Sequence, residues 1–197
     1  MVQIAIFASG SGTNAEKIIQ HFADVEDIGV ALVVCNKAKA GVLDIAERWG
    51  IPSMLINRDF FYGSDQMVFE LKQQGIDFLV LAGFLWMIPS YLVHAYDHKM
   101  LNIHPALLPK FGGKGMYGMH VHEAVKNAGE PQTGITIHYV NDQYDDGAVV
   151  FQASCPVEIQ DTPESIRQKV QVLEHRHFPE VVETVIREKF KLPARYF

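Results

Sequence analysis

The sequence predicts an α/β protein with a mostly parallel, twisted, Rossmann-like sheet that ends in an antiparallel strand pair and a long final helix. Short apolar runs alternate with amphipathic helical stretches in the first half, as buried strands of a parallel sheet do. Two strand patterns joined by an Asp- and Gly-rich turn follow in the second half. The chain then closes on a long stretch of helical periodicity. Its 197 residues fit a single domain.

The elements of the first half each have a local signal. Strands are predicted at Val2–Ala8, Val30–Cys35, Met54–Ile56 and Phe78–Leu81. Helices are predicted at Asn14–Phe22, Leu43–Trp49 and Asp65–Gln74. Gly50 and Pro52 stop the second helix and Gly75 closes the third, because these residues end helices readily.

The second half has weaker helical signals. Strands are predicted at Met100–His104, Gly134–Tyr139 and Val149–Val157, and a short helix at His122–Asn127. Pro and Gly clusters indicate a long surface loop over 105–118. The final helix is expected to begin near Asp161, since Asp161 and Glu164 have the spacing of a capping box and Pro163 lies in the first turn.

Composition excludes several classes of protein. The net charge is −6 and no run of Lys or Arg is present, so we expect no nucleic-acid partner. No apolar run approaches the ~20 residues that span a bilayer, and the N-terminus lacks the features of a secretory signal. Cys35 and Cys155 are far apart and fit buried, reduced thiols. We therefore expect a cytoplasmic protein with no membrane partner and, since no ligand set has metal spacing, no required metal.

A glycine-rich turn, Ser9-Gly-Ser-Gly-Thr-Asn14, follows the first strand and opens the first helix. Glycines allow close approach of the backbone, and a helix N-terminus offers free N–H groups, so the turn is suited to an anion. The same residues fit a dinucleotide fingerprint, but the second strand ends in Cys35-Asn36-Lys37 without the expected carboxylate. A monophosphate is favoured over NAD, and a turn with no ligand is the remaining alternative.

Polar residues also end a strand at Asn102 and His104, which lie two apart and so point to one face. An amide and an imidazole side by side suit acyl-type chemistry, in which Asn102 would donate to an oxyanion and a protonated His104 would act as an acid. Asp145, in the Asp-rich loop, would raise the pKa of a nearby imidazole. Asp142 and Asp146 compete for this role on spacing alone, and a solvated turn and a structural polar pair are the alternatives.

Four segments together carry a family resemblance: SGSGTN, LAGFLWMIP, LNIHPALLPKF and DQYDDGAVVFQ. Through them the chain is similar, from Val2 to about Phe190, to the folate-dependent formyltransferases. The early turn, the QVLEH segment and the short length resemble the phosphoribosylglycinamide formyltransferase branch. The resemblance implies a formyltransferase fold and an enzyme that transfers the formyl group of 10-formyltetrahydrofolate to the amine of 5-phosphoribosylglycinamide in de novo purine (IMP) biosynthesis.

The resemblance also implies the roles of individual residues. The catalytic residues would be Asn102, His104 and Asp145, and the phosphate would bind at Gly12, Thr13 and Asn14. The rest of the substrate would bind at Gln171 and Glu174. The folate would bind at Leu85, Trp86, Met87, Ile88, Asn141 and Asp142. A single formyltransferase domain, 1–197, would then have a phosphate-binding half at about 1–100 and a catalytic, folate-binding half at about 101–197.

Three features depart from the family pattern. Many relatives have an Arg where Leu85-Trp86 stands, and an Arg expected near Ser64 is missing. The segment 112–118 is also longer than usual. Contacts to the folate tail and the phosphate are therefore expected to be rearranged. Lys114 or Tyr117 could replace a lost contact, although a flexible surface loop is the simpler interpretation.

Other functions fit parts of the same pattern. A formyltetrahydrofolate hydrolase could use a similar trio with water as the acceptor, and another folate-dependent amine formyltransferase could use a different amine. A methionyl-tRNA formyltransferase is disfavoured because the chain has neither a basic patch nor a further domain. A nucleotide-binding regulator would use the glycine turn without catalysis. The sequence is compatible with a monomer or a homodimer.

Overall fold

The computed structural model describes residues 1–194. Its strands are β1 (Val2–Ala8), β2 (Ile28–Cys35), β3 (Ser53–Leu55), β4 (Phe78–Leu81), β5 (Met100–His104), β6 (Gln132–Tyr139) and β7 (Val149–Pro156). They form one seven-stranded sheet in the order β3-β2-β1-β4-β5-β6-β7. The first five of these strands are parallel, whereas β6 is antiparallel to both β5 and β7. The predicted fold class, including the antiparallel strand pair, is confirmed.

Helices cover both faces of the sheet. They are α1 (Thr13–Phe22), α2 (Gly41–Arg48), α3 (Arg58–Gly63), α4 (Gln66–Gln73), α5 (Ser90–Ala95), α6 (Met119–Asn127) and α7 (Pro163–Phe190). Alternate residues of β1 enter two different cores, because side chains of a strand point to opposite faces. Ile4 and Ile6 pack in the core under α1, α2 and α7, and Phe7 packs in the core under α3, α4 and α5.

Two helices and one cap differ from the sequence prediction. The helices α3 and α5 were not predicted, because six residues are too few to display a helical period. The final helix is capped by Thr162 and Ser165 rather than by Asp161 and Glu164: the Thr162 hydroxyl accepts from the Ser165 N–H at 3.2 Å, and the Ser165 hydroxyl accepts from the Thr162 N–H at 3.0 Å. The Asp161 carboxylate instead accepts from the Ser165 hydroxyl at 2.7 Å. The strands β1, β4 and β5 have their predicted bounds, and the bounds of the other predicted elements shift by one to three residues.

The topology brings several loops to one edge of the sheet. The strands β1, β4 and β5 are neighbours and parallel, so the segments that follow them emerge at the same, carboxyl edge. The long helix α7 packs on α1, α6 and β6 and passes beside this edge. Within residues 1–194, none of the helices combines the length and apolarity needed to cross a bilayer.

Candidate active site

A pocket of about 580 Å³ opens at the carboxyl edge of the sheet. It is bounded by the glycine turn after β1, the segment after β4, the end of β5, the loop before α6, the loop between β6 and β7, and one face of α7. Those of the predicted residues that line it are Gly12, Thr13, Asn14, Leu85, Asn102, His104, Asp145, Gln171 and Glu174. The structure therefore places catalytic, phosphate-binding and substrate-binding candidates around one cavity.

The glycine turn depends on Gly12. Its φ is +80°, and a Cβ there would lie 2.7 Å from the Cα of Val42, so a side chain would be both strained and blocked. The helix α1 begins directly after it, at Thr13, and no side chain caps this end. The first N–H groups of α1 lack intrahelical partners and carry a partial positive charge. The turn therefore has the geometry of the predicted anion site, and phosphate binding there stays a prediction.

One face of α7 lies against this turn. The Gln171 amide donates to the Thr13 hydroxyl at 3.2 Å, and the Asn14 amide donates to the Glu174 carboxylate at 3.0 Å. Burial raises the pKa of Glu174, although the hydrogen bond from Asn14 opposes the rise. Gln171 and Glu174 therefore lie against the glycine turn and not on an exposed helical face.

The three predicted catalytic residues lie in contact. Nδ1 of His104 is 3.4 Å from one oxygen of Asp145, and Nδ2 of Asn102 is 3.4 Å from the other. Asp142 and Asp146 lie elsewhere: Asp142 is 3.6 Å from the imidazole of His94, and Asp146 accepts from the amide of Asn141 at 3.1 Å. Geometry therefore selects Asp145 among the three carboxylates that spacing could not rank.

The pKa of His104 reflects its burial as well as its neighbours. Burial lowers its pKa, and this effect outweighs the negative charge of Asp145 and the hydrogen bond to the Phe111 carbonyl, which both raise it. The side chain is only 3% exposed. The net shift is downward because burial dominates, although Asp145 acts in the direction that the sequence predicts.

The backbone around Asp145 is shaped to deliver the carboxylate. Asp145 has a φ of +53°, and its carboxylate accepts from the Gly113 N–H at 2.9 Å. Gly147 follows where a Cβ would lie 1.7 Å from the Tyr139 carbonyl oxygen, so only glycine lets the chain pass there. Burial alone would raise the pKa of Asp145, but contacts with His138 and His104 outweigh it and the pKa is lowered.

His138, on the strand predicted at Gly134–Tyr139, contacts this site, although no role was predicted for it. It is 2% exposed and stands opposite Asn102 in the β5–β6 pairing. Its Nδ1 lies 2.8 Å from the Tyr139 carbonyl, and its Nε2 lies 3.1 Å from Nδ2 of Asn102. Both N–H groups of the Asn102 amide are thus directed to His138 and Asp145. The predicted donation from Asn102 to an oxyanion is not available in this arrangement.

Two further pocket residues carried no sequence signal. His122, which was predicted only as a helix residue, is 3% exposed and its Nδ1 has no hydrogen-bond partner. Burial lowers its pKa to about 4, with the nearby Arg167 adding to the effect. Arg167 also lines the pocket and pairs with Glu164 at 2.7 Å. Neither could be found from spacing, because the packing of α6 on α7 brings them to the pocket.

The long segment 112–118 forms the outer wall of the pocket. Lys114, Met116 and Tyr117 all line the cavity. Both residues named as possible replacement contacts therefore reach the site, and their roles stay predictions. The segment is anchored at Phe111, whose carbonyl accepts from Nε2–H of His104 at 2.7 Å.

Only part of the predicted folate segment lines this pocket. Leu85 does so, and its N–H donates to the buried Ser9 hydroxyl at 3.0 Å. The other five residues are not among those lining the cavity, namely Trp86, Met87, Ile88, Asn141 and Asp142.

Local packing explains where these flanking residues lie. Trp86 packs on Phe61 and Tyr62, and the Arg58 guanidinium lies 5.1 Å from its ring. Met87 accepts from the Tyr62 hydroxyl through its carbonyl, and Ile88 is buried in the core. The segments are nevertheless neighbours, since the contact between His94 and Asp142 joins α5 to the loop after β6. Folate binding by these residues stays a prediction.

Among residues 1–194, no group of three or more His, Cys, Asp or Glu side chains is arranged to hold a metal ion. The cysteines at 35 and 155 are both free. The polar groups that line the pocket are backbone N–H groups, imidazoles, amides and carboxylates, together with the Lys114 and Arg167 side chains.

A parallel α/β sheet with a glycine turn suited to an anion, and with an imidazole–carboxylate pair at the same carboxyl edge, is typical of a group-transfer enzyme that acts on a phosphorylated substrate. Comparison with known proteins identifies the class more closely. Residues 2–182 match the formyl transferase family, and the chain belongs to that family.

Individual relatives agree with this assignment. The phosphoribosylglycinamide formyltransferase of Bacillus subtilis is 35% identical over 94% of this chain and 95% of its own. The chloroplastic phosphoribosylglycinamide formyltransferase of Arabidopsis thaliana is 41% identical over 96% of this chain and 67% of its own. The crystal structure of phosphoribosylglycinamide formyltransferase from Bacillus halodurans matches with a TM-score of 0.85 at 36% identity, covering 95% of this chain and 96% of that one.

Proposed function

We propose that this chain transfers the formyl group of 10-formyltetrahydrofolate to the amine of 5-phosphoribosylglycinamide, a reaction of purine biosynthesis. The observation that carries the proposal is the contact of Asp145 with His104 and Asn102 in the same pocket as the glycine turn. Family membership and the names of the relatives support the particular substrates. No metal takes part in the proposed reaction.

The substrate phosphate binds at Gly12, Thr13 and Asn14. The backbone N–H groups at the start of α1 donate to its oxygens, and the helix dipole complements its charge. Gln171 and Glu174, which lie against the same turn, contact the sugar and the glycinamide part. Fixing the phosphate at one end of the pocket directs the amine toward the other end, where His104 lies.

The chemistry takes place at the end of β5. The neutral amine attacks the formyl carbon, the new C–N bond forms, and the carbonyl electrons move to oxygen. The Nε2–H of His104 stabilises this oxyanion after it leaves the Phe111 carbonyl. The amine then loses a proton, N10 of the folate gains one, and the C–N10 bond breaks. Asp145 favours the imidazolium form of His104 while these protons move.

The folate binds between the segment Leu85 to Ile88 and the loop containing Asn141 and Asp142. Support comes from the contact between α5 and this loop and from the position of Leu85 in the pocket wall. Trp86, Phe61 and Tyr62 form an aromatic surface beside that segment. In this proposal the halves at about 1–100 and 101–197 bind phosphate and folate, respectively, within one domain.

We also infer that the enzyme works in a reducing, cytoplasmic setting, as a monomer or a homodimer. Free Cys35 and Cys155 support the redox part of this inference. Sedimentation of the purified protein measures its oligomeric state.

Folate turnover, followed by absorbance with and without glycinamide ribonucleotide, tests the proposed reaction. We expect turnover only when the amine substrate is present. Release of formate without the amine would favour a hydrolase. Thermal stabilisation by NAD or AMP, with none by glycinamide ribonucleotide, would favour a nucleotide-binding regulator.

A further inference from the structure

The hydrogen bonds of His138 determine its tautomer. Its Nδ1 is 2.8 Å from the Tyr139 carbonyl oxygen, which can only accept, so Nδ1 must carry a proton. In the neutral imidazole Nε2 is then an acceptor. That atom faces Nδ2 of Asn102 at 3.1 Å. The ring, which is 2% exposed, therefore offers the Asn102 amide a lone pair.

Asp145 reinforces the same orientation of the amide. Its Oδ1 accepts from Nδ2 of Asn102 at 3.4 Å and lies 3.7 Å from Nε2 of His138, beyond hydrogen-bond distance. If the amide were reversed, its oxygen would face the lone pair of His138 and a carboxylate oxygen of Asp145. Two such contacts between acceptors are unfavourable in a buried site. The carbonyl oxygen of Asn102 is consequently the end left to face the pocket.

We propose that His138 is a positioning residue that turns Oδ1 of Asn102 into the pocket, where it accepts a hydrogen bond from the attacking amine. This inference rests on the proposed formyl transfer. The amine nitrogen gains positive charge as the C–N bond forms, so a hydrogen bond to Oδ1 strengthens in the transition state. It also directs the nitrogen lone pair at the formyl carbon. Asn102 thus acts on the nucleophile, and the oxyanion is left to His104.

The tautomer can be measured without substrate. In protein with isotope-labelled histidine, long-range proton–nitrogen spectra distinguish a protonated Nδ1 from a protonated Nε2. The signal of His138 is assigned as the one missing in His138→Gln. We expect the neutral ring to carry its proton on Nδ1 and not on Nε2, and a neutral ring with its proton on Nε2 would overturn the proposal whatever the enzyme catalyses.

Kinetics test whether His138 acts through Asn102. We expect His138→Phe to lower kcat about 10- to 50-fold and Asn102→Ala about 100-fold, with the double variant within about 3-fold of Asn102→Ala. His138→Gln, whose amide oxygen can accept, should lose less than about 5-fold. The matched control His98→Gln changes an exposed imidazole and should keep the wild-type kcat.

Full additivity of the two losses in folded protein would overturn the proposal, because a residue with only a structural role would weaken the Asn102→Ala enzyme as well. If His138→Phe does not fold, His138→Gln replaces it in the comparison with Asn102→Ala and the double variant. The measured tautomer of His138 then decides whether the proposal stands. A wild-type protein without amine-dependent turnover would instead contradict the proposed function, and the tautomer measurement keeps these two failures distinct.

Discussion

Nε2 of His104 lies 2.7 Å from the carbonyl oxygen of Phe111, so the imidazole at the centre of the pocket is held by the backbone of the neighbouring loop. Phe111 has a φ of +56°, which is unusual for a residue with a side chain. The N–H that would stabilise an oxyanion is therefore engaged when no substrate is bound. In the proposed mechanism, binding of the formyl donor therefore displaces this carbonyl before His104 acts as an acid.

The first prediction concerns His104 itself. His104→Ala should lower kcat by about 10²-fold or more, because it removes the proton donor and the stabilisation of the oxyanion. Circular dichroism and urea unfolding check that the variant folds. A folded variant with near wild-type turnover would remove His104 from the mechanism.

Asp145→Asn keeps the shape of the side chain and removes its charge. The charge of Asp145 raises the pKa of His104 against the effect of burial, so the pKa should fall further in the variant. As the pH rises, the variant would therefore lose its imidazolium form, and the activity that depends on it, at a lower pH than the wild-type protein does. We expect kcat near neutral pH to fall about 10- to 100-fold, and an unchanged pH–rate profile would contradict this role.

Gly12→Ala should disturb the phosphate turn. The new Cβ would lie 2.7 Å from the Cα of Val42 at a φ of +80°, so we expect a loss of about 2–4 kcal/mol in the free energy of unfolding. Gly10→Ala is the matched control, since nothing lies within 4 Å of its Cβ, and should change that free energy by less than about 1 kcal/mol. Urea unfolding measures both, and equal losses would refute the packing argument.

His122 should make the fold sensitive to acid. Its pKa falls from 6.5 to about 4 on burial, so between these values the unfolded chain binds more protons than the folded protein and stability is lost as the pH falls. From pH 7 to pH 5 this residue alone should cost about 2 kcal/mol of unfolding free energy. His122→Phe should have a shallower dependence over that range, and an equally steep dependence would show that the acid sensitivity comes from other groups.

The fold was largely predictable because its signals are local. The strand Val2–Ala8 was predicted with its observed bounds because it is a continuous apolar run. The strand Met100–His104 was too, because it ends at the polar residues Asn102 and His104. The helix at Arg58–Gly63 was missed because a single turn and a half displays no period. The cap at Thr162 was missed because Asp161, one residue earlier, is also a residue type that accepts a backbone hydrogen bond at the start of a helix.

Spacing and residue chemistry alone predict the candidate site only where residues lie close in sequence, whereas Asp145, Gln171 and Glu174 were placed in it through the family resemblance. The pair of Asn102 and His104 shares a strand face by the geometry of the strand. Its pairing with His138 depends on the register between β5 and β6, which no local pattern specifies. The downward shift in the pKa of His104 likewise depends on burial in the folded protein, which no local pattern specifies.

The proposed formyl transfer from folate to glycinamide ribonucleotide can be followed directly with an isotope-labelled formyl group. Wild-type protein is mixed with labelled 10-formyltetrahydrofolate and glycinamide ribonucleotide, and the label is followed by NMR. We expect the label to move to the glycinamide nitrogen in an amount equal to that of the tetrahydrofolate released. Label that stays on the folate, or that appears only as formate, would contradict it.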